Sequence, residues 1–136
     1  MRSEIYNLML PLLDDPSGMY AMDDLNAYVD KIMQKACVIS VMEEGVLQGF
    51  LAYYANDHVN KVAFLSMVVI SPSVRKMGYG RRLVDFFIAD LVLKGFKKCL
   101  TEVREDNIKA QNICKRVGFS CIGKKDKYLV MEKMLS

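Results

Sequence analysis

The chain has 136 residues, of which 52% are hydrophobic and 26% charged, and its formal net charge at pH 7 is +3. These values are ordinary for a globular protein, and the length predicts one domain over residues 1–136. No apolar run reaches the roughly 18 residues of a membrane-spanning helix, and the N-terminus lacks the layout of a signal peptide. We therefore expect a cytoplasmic protein without a membrane partner. The small positive charge gives no support to a nucleic-acid partner.

Cysteine and histidine are too scattered along the chain to suggest a metal site. Cys37, Cys99, Cys114 and Cys121 form no C-x-x-C pair and no pair with the single histidine. Each cysteine lies within an apolar pattern, which is typical of reduced core thiols in a cytosolic protein. The sequence therefore predicts no bound metal.

The first half of the chain predicts two helices and a β-hairpin. In chain order the elements are a helix, a polar turn, a second helix and two strands, at residues 4–13, 14–18, 25–36, 37–42 and 46–55. Pro11 interrupts the first helix because proline cannot donate the helical hydrogen bond. Asp23 or Asp24 caps the second helix. A Glu-Gly turn ending at Gly45 joins the two strands of the hairpin.

The second half predicts two more helices and four more strands. In chain order they are a strand, a helix, a strand, a helix and two strands, at residues 62–70, 83–94, 98–104, 107–117, 119–123 and 127–134. Gly95 and Gly118 end the two helices, and a lysine-rich turn separates the last two strands. The full order, α-α-β-β-β-α-β-α-β-β, predicts an α/β sandwich in which helices flank a mixed central β-sheet.

The connection between the strand at 62–70 and the following helix has the composition of an anion site. It reads R-K-M-G-Y-G-R-R over residues 75–82. Glycines at 78 and 80 let backbone N–H groups approach an anion, and the helix N-terminus adds unsatisfied donors and partial positive charge. The basic side chains suit a pyrophosphate. The alternative is a strand–turn–helix connection with a solvated basic face.

Two common phosphate loops do not fit these residues. The dinucleotide-binding pattern G-x-G-x-x-G needs a third glycine, which is missing. A Walker A loop needs G-K-[ST] at its end, whereas Gly80 is followed by Arg81. The remaining pattern, R-x-x-G-x-G after a V-x-P-like strand end, resembles the acyl-coenzyme-A loop of the GNAT-type N-acetyltransferase superfamily.

A second block strengthens this resemblance. Residues 101–104 (Thr-Glu-Val-Arg), followed by Asn107, Ala110 and the Gly118-Phe119 pair, are similar to a strand–helix segment of the same superfamily. The order of elements also matches from about residue 20 to the end. One departure lies at the front, because the family usually opens with a strand and little precedes Ile5. Either that strand is lost, or the first few residues supply it.

The resemblance implies acetyl-CoA as the co-substrate, bound where two neighbouring strands separate. The pantetheine arm would then lie along the end of the strand at 62–70, the pyrophosphate would lie on the loop, and a motif asparagine would help to hold the arm. The positions so implied are Val68, Val69, Ile70, Arg75, Lys76, Met77, Gly78, Tyr79, Gly80, Arg81 and Asn107. The alternative for Val68, Val69 and Ile70 is that they form an ordinary buried strand. The alternative for Asn107 is that it only caps a helix.

Two further residues are implied in catalysis. Glu102 occupies the position of a glutamate that in many of these enzymes removes the ammonium proton through water; its alternative is an exposed carboxylate paired with Arg104 or a lysine. Cys114 stands where the family usually carries the tyrosine that reprotonates the leaving thiolate. A thiol could donate that proton, but the i, i+3, i+4 spacing also places Cys114 on the core stripe of its helix. Solvent, Tyr79 or Tyr128 would then serve instead.

The resemblance therefore implies acetyl transfer to a primary amine by direct attack in a ternary complex. We expect a small-molecule acceptor, and residues 24–32 weakly resemble a sub-group that acts on amino-sugar nucleotides. At most one of the neighbouring residues Tyr53 and Tyr54 can line the acceptor site, because adjacent strand residues face opposite sides. A non-catalytic acyl-CoA-binding sensor or structural module is the alternative function. A homodimer is left open.

Overall fold

The computed structural model describes residues 1–16 and 20–135. Within these ranges, helices α1–α4 span Arg2–Met9, Leu25–Lys35, Tyr79–Leu93 and Ile108–Arg116. Strands β1–β6 span Cys37–Glu43, Val46–Asp57, Val62–Ile70, Lys98–Arg104, Ser120–Lys125 and Tyr128–Met134. The predicted order of elements is therefore confirmed. The turn expected at residues 14–18 lies partly outside the described residues.

The six strands form one mixed sheet in the order β1-β2-β3-β4-β6-β5. Every neighbouring pair is antiparallel except β3 and β4, which run parallel. One apolar core packs α3 against the sheet through Leu83, Phe87 and Leu91. A second core, on α1 and α2, includes Ile5 and Val29. The expected α/β sandwich with a mixed central sheet is thus confirmed.

The N-terminal segment is helical from its second residue. Helix α1 ends at Met9, and a short 3-10 turn, Leu10–Leu12, contains Pro11, as the interruption predicted. The Arg2 side chain fastens α1 to α2 through bonds to Asp30 (2.6 Å) and Asn26 (2.9 Å). Residues 1–16 contain no strand. The first few residues therefore form helix α1 and do not supply a strand.

Several predicted boundaries differ from the structure, as at β2, which continues to Asp57 and not to residue 55, and the backbone explains two of these differences. Helix α3 begins at Tyr79 and not at residue 83, because Gly78 takes the left-handed conformation (φ +83°) that redirects the chain into a helix four residues earlier. Strand β5 continues to Lys125, so the lysine-rich turn shortens to a tight turn with Asp126 at φ +55°. In both cases backbone geometry at one residue decided the boundary. No helix in the described part of the chain is long and apolar enough to cross a membrane.

Close approach between β2 and β3 depends on Gly49. This residue pairs with Ile70, the last residue of β3, and a Cβ atom at this position would lie 2.8 Å from the Val69 carbonyl oxygen and 2.8 Å from Ile70 Cδ1. The carbonyl belongs to the strand backbone, so it cannot rotate away as a side chain would. Gly49 therefore sets the distance at which β2 holds the end of β3.

We expect Gly49→Ala to lower the free energy of unfolding by about 1–3 kcal/mol, because overpacking forces the β3 backbone to shift. Chemical denaturation measures the change. Gly123→Ala is the matched control, since its Cβ would meet nothing within 4 Å. Equal stability losses in the two variants would contradict the argument.

Candidate functional site

Strands β3 and β4 separate part of the way along their length. They are nine and seven residues long, yet only four residue pairs join them, from Val62–Lys98 to Leu65–Thr101. Beyond that point, residues 67–70 pair with β2 alone and residues 102–104 pair with β6 alone. The two strands therefore diverge toward their C-terminal ends and leave a gap between them.

Thr101 closes the ladder at the point of divergence. Its hydroxyl donates a hydrogen bond of 2.9 Å to the Leu65 carbonyl oxygen, and the side chain is only 5% exposed. Ser66 follows as the extra residue at a register shift between β2 and β3. Sequence reasoning missed the role of Thr101. The available signal was a hydroxyl residue between the apolar positions 99 and 103, where a buried polar group needs a partner.

The gap exposes one backbone edge of β3. Val68, Val69 and Ile70 form their ladder with β2 but none with β4, so this edge can accept an extended ligand as an added strand. Val69 is fully buried, and Val68 and Ile70 pack on the α3 core. The three predicted residues thus line the gap as a rigid wall.

The N-terminus of α3 lies directly after β3 and has no side-chain cap. Its first intrahelical bond runs from the Arg82 N–H to the Gly78 carbonyl oxygen, at 3.1 Å. Among the described residues, the N–H groups of Tyr79, Gly80 and Arg81 have no partner. These donors and the helix dipole make the end of α3 suitable for an anion.

The loop before α3 is anchored through its backbone. The Ser71 N–H donates to the Gln48 carbonyl oxygen at 2.8 Å, and a 3-10 turn, Pro72–Val74, buries Val74. Lys76 adopts a positive φ of +74°, which is unusual for a residue other than glycine. This conformation turns the chain so that Met77 is 57% exposed.

The basic side chains around the loop are partly engaged. Arg75 lies 4.0 Å from the Asp15 carboxylate, and Arg81 lies 3.4 Å from the carboxylate of Asp85. The Arg82 guanidinium stacks over the Tyr79 ring at 4.9 Å. These are exposed contacts that contribute little free energy, so the side chains can turn to an anionic ligand.

Gly80 has no structural requirement within the protein. A Cβ atom there would meet only Ile70 Cγ1 at 3.7 Å, an ordinary contact, and the residue lies in the first turn of α3. In a helix the Cβ atom points toward the N-terminus, which is the direction of the free N–H groups. Space at Gly80 is therefore most useful to something that approaches α3 from outside.

Glu102 lies on β4 beside the gap. It is exposed, and the described residues give it no ion-pair or hydrogen-bond partner. The predicted alternative partner, Arg104, instead bonds Asp106 at 3.0 Å. The carboxylate is therefore free to act on a ligand.

Asn107 caps α4. Its side-chain oxygen accepts a bond of 3.0 Å from the Ala110 N–H, so the capping role that the sequence suggested is confirmed. Its amide nitrogen has no partner in the described structure and can donate elsewhere. Gln111, which sequence reasoning did not single out, is 8% exposed and donates to the carbonyl oxygens of Arg104 (3.2 Å) and Glu105 (2.9 Å). It holds the turn between β4 and α4.

The Cys114 thiol packs against the α3 core. Burial raises its pKa above the usual value, and burial raises the pKa of the neighbouring Cys99 to about 12. Both thiols are therefore protonated at neutral pH. A thiol in such surroundings is a reluctant proton donor.

The tyrosines considered as alternatives are placed differently. The Tyr79 hydroxyl donates to the Glu43 carboxylate on β1, and this bond raises the pKa of Tyr79. Tyr128 is 42% exposed and lies opposite Arg104, at the end of the β4–β6 ladder. Tyr53 packs on Phe87 of α3, whereas Tyr54 faces the side of the sheet that carries α2. Of Tyr53 and Tyr54, therefore, only Tyr54 lies on the face of the sheet that carries Glu102, and Tyr128 opposite Arg104 shares that face.

Metal-ligating side chains do not converge in the described structure. Residues 1–16 and 20–135 hold no group of three or more His, Cys, Asp or Glu that could bind a metal ion.

Comparison with known proteins relates this geometry to a family. The model of the acetyltransferase (GNAT) family matches residues 2–119 of the chain. No curated protein matches it. Among solved structures, the fold is similar to PaiA N-acetyltransferase from Thermoplasma acidophilum in complex with coenzyme A. The identity is 14% and the TM-score 0.77, over 98% of this chain and 92% of the other.

Two other solved structures show the same fold with different named activities. The ribosomal-protein-S18-alanine N-acetyltransferase from Escherichia coli has 17% identity and a TM-score of 0.77, over 99% of this chain and 88% of the other. An aminoglycoside 6'-N-acetyltransferase complexed with coenzyme A has 14% identity and a TM-score of 0.79, over 99% and 91%. The similarity to these solved structures concerns the fold. The family assignment rests on the match to the family over residues 2–119, which is most of the sequence. The chain belongs to the GNAT family of acetyltransferases.

Proposed function

We propose that the protein transfers an acetyl group from acetyl-CoA to the primary amine of a small molecule, with an amino sugar as one candidate acceptor. The observation that carries this proposal is the junction of two features, the gap between β3 and β4 and the uncapped N-terminus of α3. One end suits an extended amide-bearing arm and the other suits a pyrophosphate. A coenzyme A thioester carries both groups in one molecule.

In the proposed donor site, the extended arm and the pyrophosphate of acetyl-CoA would contact different residues. The backbone edge of Val68–Ile70 would pair with the amides of the arm, and the amide nitrogen of Asn107 would support it. The loop from Arg75 to Arg81 would hold the pyrophosphate, chiefly through the free N–H groups at the start of α3. In support, solved structures of the same fold are named as complexes with coenzyme A.

The proposed reaction is direct attack in a ternary complex. The amine nitrogen forms a bond to the acetyl carbon, and the carbon–sulfur bond breaks with its electron pair on sulfur. An ammonium acceptor must lose one proton before attack, and the new amide nitrogen loses a second. Sulfur takes up one proton, so one proton is released overall. A backbone N–H on the gap side of β3 would stabilise the negative charge that develops on the carbonyl oxygen.

Glu102 is the proposed base. An alkyl ammonium has a pKa near 10.4, as in lysine, so most of the acceptor is protonated at neutral pH. A carboxylate without a protein partner at the mouth of the gap can attract that ammonium and remove its proton through water. Exposure to solvent supports this role, because a bridging water can enter.

Two roles are proposed for Cys114, which are donation of a proton to the leaving sulfur and packing in the core. Its thiol is protonated at neutral pH, which a donor requires, but its burial against the α3 core favours packing. The same observation gives some support to a second function, a non-catalytic acyl-CoA-binding module. The two functions differ in whether thiol is ever released from the thioester.

A glycine pair tests the donor site. Gly78 and Gly95 have φ of +83° and +78°, and a Cβ at either would meet nothing within 4 Å. Alanine at either position should therefore lower the free energy of unfolding by a similar amount, about 1–2 kcal/mol. Only Gly78→Ala should also weaken binding of coenzyme A, measured by calorimetry.

Gly80→Ala completes this test. The free energy of unfolding should stay unchanged or rise by about 0.5–1 kcal/mol, because alanine has a higher helix propensity than glycine. Loss of one hydrogen bond to a charged group is worth about 1.5–3 kcal/mol, so the Kd for coenzyme A should rise at least about tenfold. Removal of one exposed charge by Arg75→Gln should have a smaller effect. Unchanged affinity in both Gly78→Ala and Gly80→Ala would contradict the donor site.

Glu102→Gln tests the base. Turnover near neutral pH should fall by about 10²–10⁴-fold. It should recover as the pH rises toward the pKa of the acceptor, because solution then supplies the free amine. Steady-state thiol release from pH 6 to pH 10 measures both effects, and calorimetry checks that coenzyme A affinity is retained. Glu132→Gln is the control on the same sheet face, and an equal loss in that variant would refute a specific role.

Cys114→Ala separates the two roles of the thiol. If Cys114 only packs, the variant loses about 1 kcal/mol of stability and keeps its turnover, since the removed group is one buried sulfur atom. If Cys114 donates the proton, turnover falls by about 10²-fold or more while coenzyme A affinity stays the same. We expect the first result, from thiol-release kinetics combined with denaturation.

A further inference from the structure

An apolar row of side chains crosses the sheet beside Glu102. Tyr54 pairs with Phe64, and Phe64 pairs with Leu100, across strands β2, β3 and β4. Paired residues share one face of a sheet, so these three side chains form a continuous surface, which we call the apolar row. It lies on the same face as α2, as the contact between Lys31 and the Tyr54 ring shows (5.7 Å).

The apolar row belongs to neither core. Both cores contain buried residues and the partly buried ones packed on them, and Tyr54, Phe64 and Leu100 are in neither group. All three are partly exposed. Within the described structure, α1 and α2 contribute to the core over β2 and β3 and not to one over β4. Apart from the Lys31 ammonium over Tyr54, the three side chains are therefore left without an apolar cover from either core.

The row ends at the proposed site of reaction. Glu102 follows Leu100 by two residues on the same face of β4, about 6.6 Å further along the strand. Val130 of β6 lies opposite Glu102 and extends the apolar surface. The Tyr28 hydroxyl and the Ser66 hydroxyl, 3.0 Å apart, border it where β3 leaves the ladder. A ligand lying on the row would direct its end at Glu102 and the gap.

The polar groups around the row are few. Tyr28 and Ser66 bond each other, and Lys98 is paired with Glu132 at 3.4 Å. The Lys31 ammonium lies over the Tyr54 ring, and Arg104, on the same face of β4, is bonded to Asp106. Among the described residues, the Glu102 carboxylate is the acidic group beside the row without a hydrogen-bond or ion-pair partner. Asp24 and Asp30 of this region are engaged, because Asp24 caps α2 through the Ala27 N–H at 3.0 Å and Asp30 bonds Arg2 at 2.6 Å.

We infer that the acceptor is an amine carried on a flat apolar body, with an aromatic ring about two methylene groups from the nitrogen. This narrows the proposed function and rests on it. An aromatic ring can pack on Phe64 and Tyr54 while the ammonium reaches Glu102. A sugar amine would instead bring several hydroxyls onto phenyl and alkyl groups, where they lose water without gaining partners.

The first test compares three amines under saturating acetyl-CoA. 2-Phenylethylamine carries the ring, ethylamine lacks it, and glucosamine has a ring of similar size with hydroxyls. Thiol release should give a kcat/KM for 2-phenylethylamine at least about tenfold above that of either other amine, the gain expected from burying a phenyl group. A glucosamine value equal to or above that of 2-phenylethylamine would overturn the inference.

Two variants test whether the apolar row causes the preference for 2-phenylethylamine over ethylamine. Phe64→Ala should lower the ratio of kcat/KM for 2-phenylethylamine to that for ethylamine by about tenfold, because the packing surface is lost. Phe86→Ala is the matched control, since this phenylalanine is 62% exposed on α3 and away from the row. It should leave the ratio unchanged. An unchanged ratio in Phe64→Ala would mean that the row does not select the acceptor.

A binding measurement separates this inference from the proposed function. If no amine yields thiol, the enzymatic proposal fails, and binding of 2-phenylethylamine is then followed by NMR in the presence of coenzyme A. Shifts of Tyr54, Phe64 and Leu100 signals that are absent with glucosamine would support the row as a site for an apolar amine. No shifts in these residues at millimolar 2-phenylethylamine would overturn it.

Discussion

The early end of the β3–β4 ladder is the constraint on which the rest of this structure depends. Parallel strands would normally continue to pair, but the Thr101 side chain takes the Leu65 carbonyl and Ser66 shifts the register toward β2. From that point each strand keeps a different partner. The resulting gap leaves an edge of β3 that pairs with no strand, where the Arg75 side chain donates a long hydrogen bond of 3.4 Å to the Ile70 carbonyl oxygen. An extended ligand can be added at such an edge without displacing a strand.

Packing on both faces keeps this gap rigid. Gly49 lets β2 approach the end of β3 closely, and Val69 is fully buried under α1 and α2. On the other face, α3 packs its apolar stripe on the sheet, and its uncapped N-terminus lies beside Ile70 at the end of β3. The position of the N–H donors at the start of α3 is therefore fixed relative to the edge of β3, because both elements pack in the same core.

The two faces of the sheet carry different chemical groups. Cys114, Cys99 and Tyr53 lie on the α3 side, where burial keeps thiols protonated and Tyr53 packs against Phe87. Glu102, Tyr54 and Phe64 lie on the α2 side, which remains partly open. A carboxylate that must exchange protons with water needs such an open face, whereas an apolar row at its side needs a ligand to cover it.

The sequence by itself determined the order of elements, the fold class, the glycine loop and the family, because hydrophobic period, glycine positions and helix caps are local properties. It also placed Asn107 as a cap and Glu102 beside a strand end. Tertiary structure alone decided that β3 and β4 separate after Thr101, and that three apolar side chains distant in sequence form one row. These features depend on strand register and on which face each helix covers, and both are set by packing between residues that are far apart in the chain.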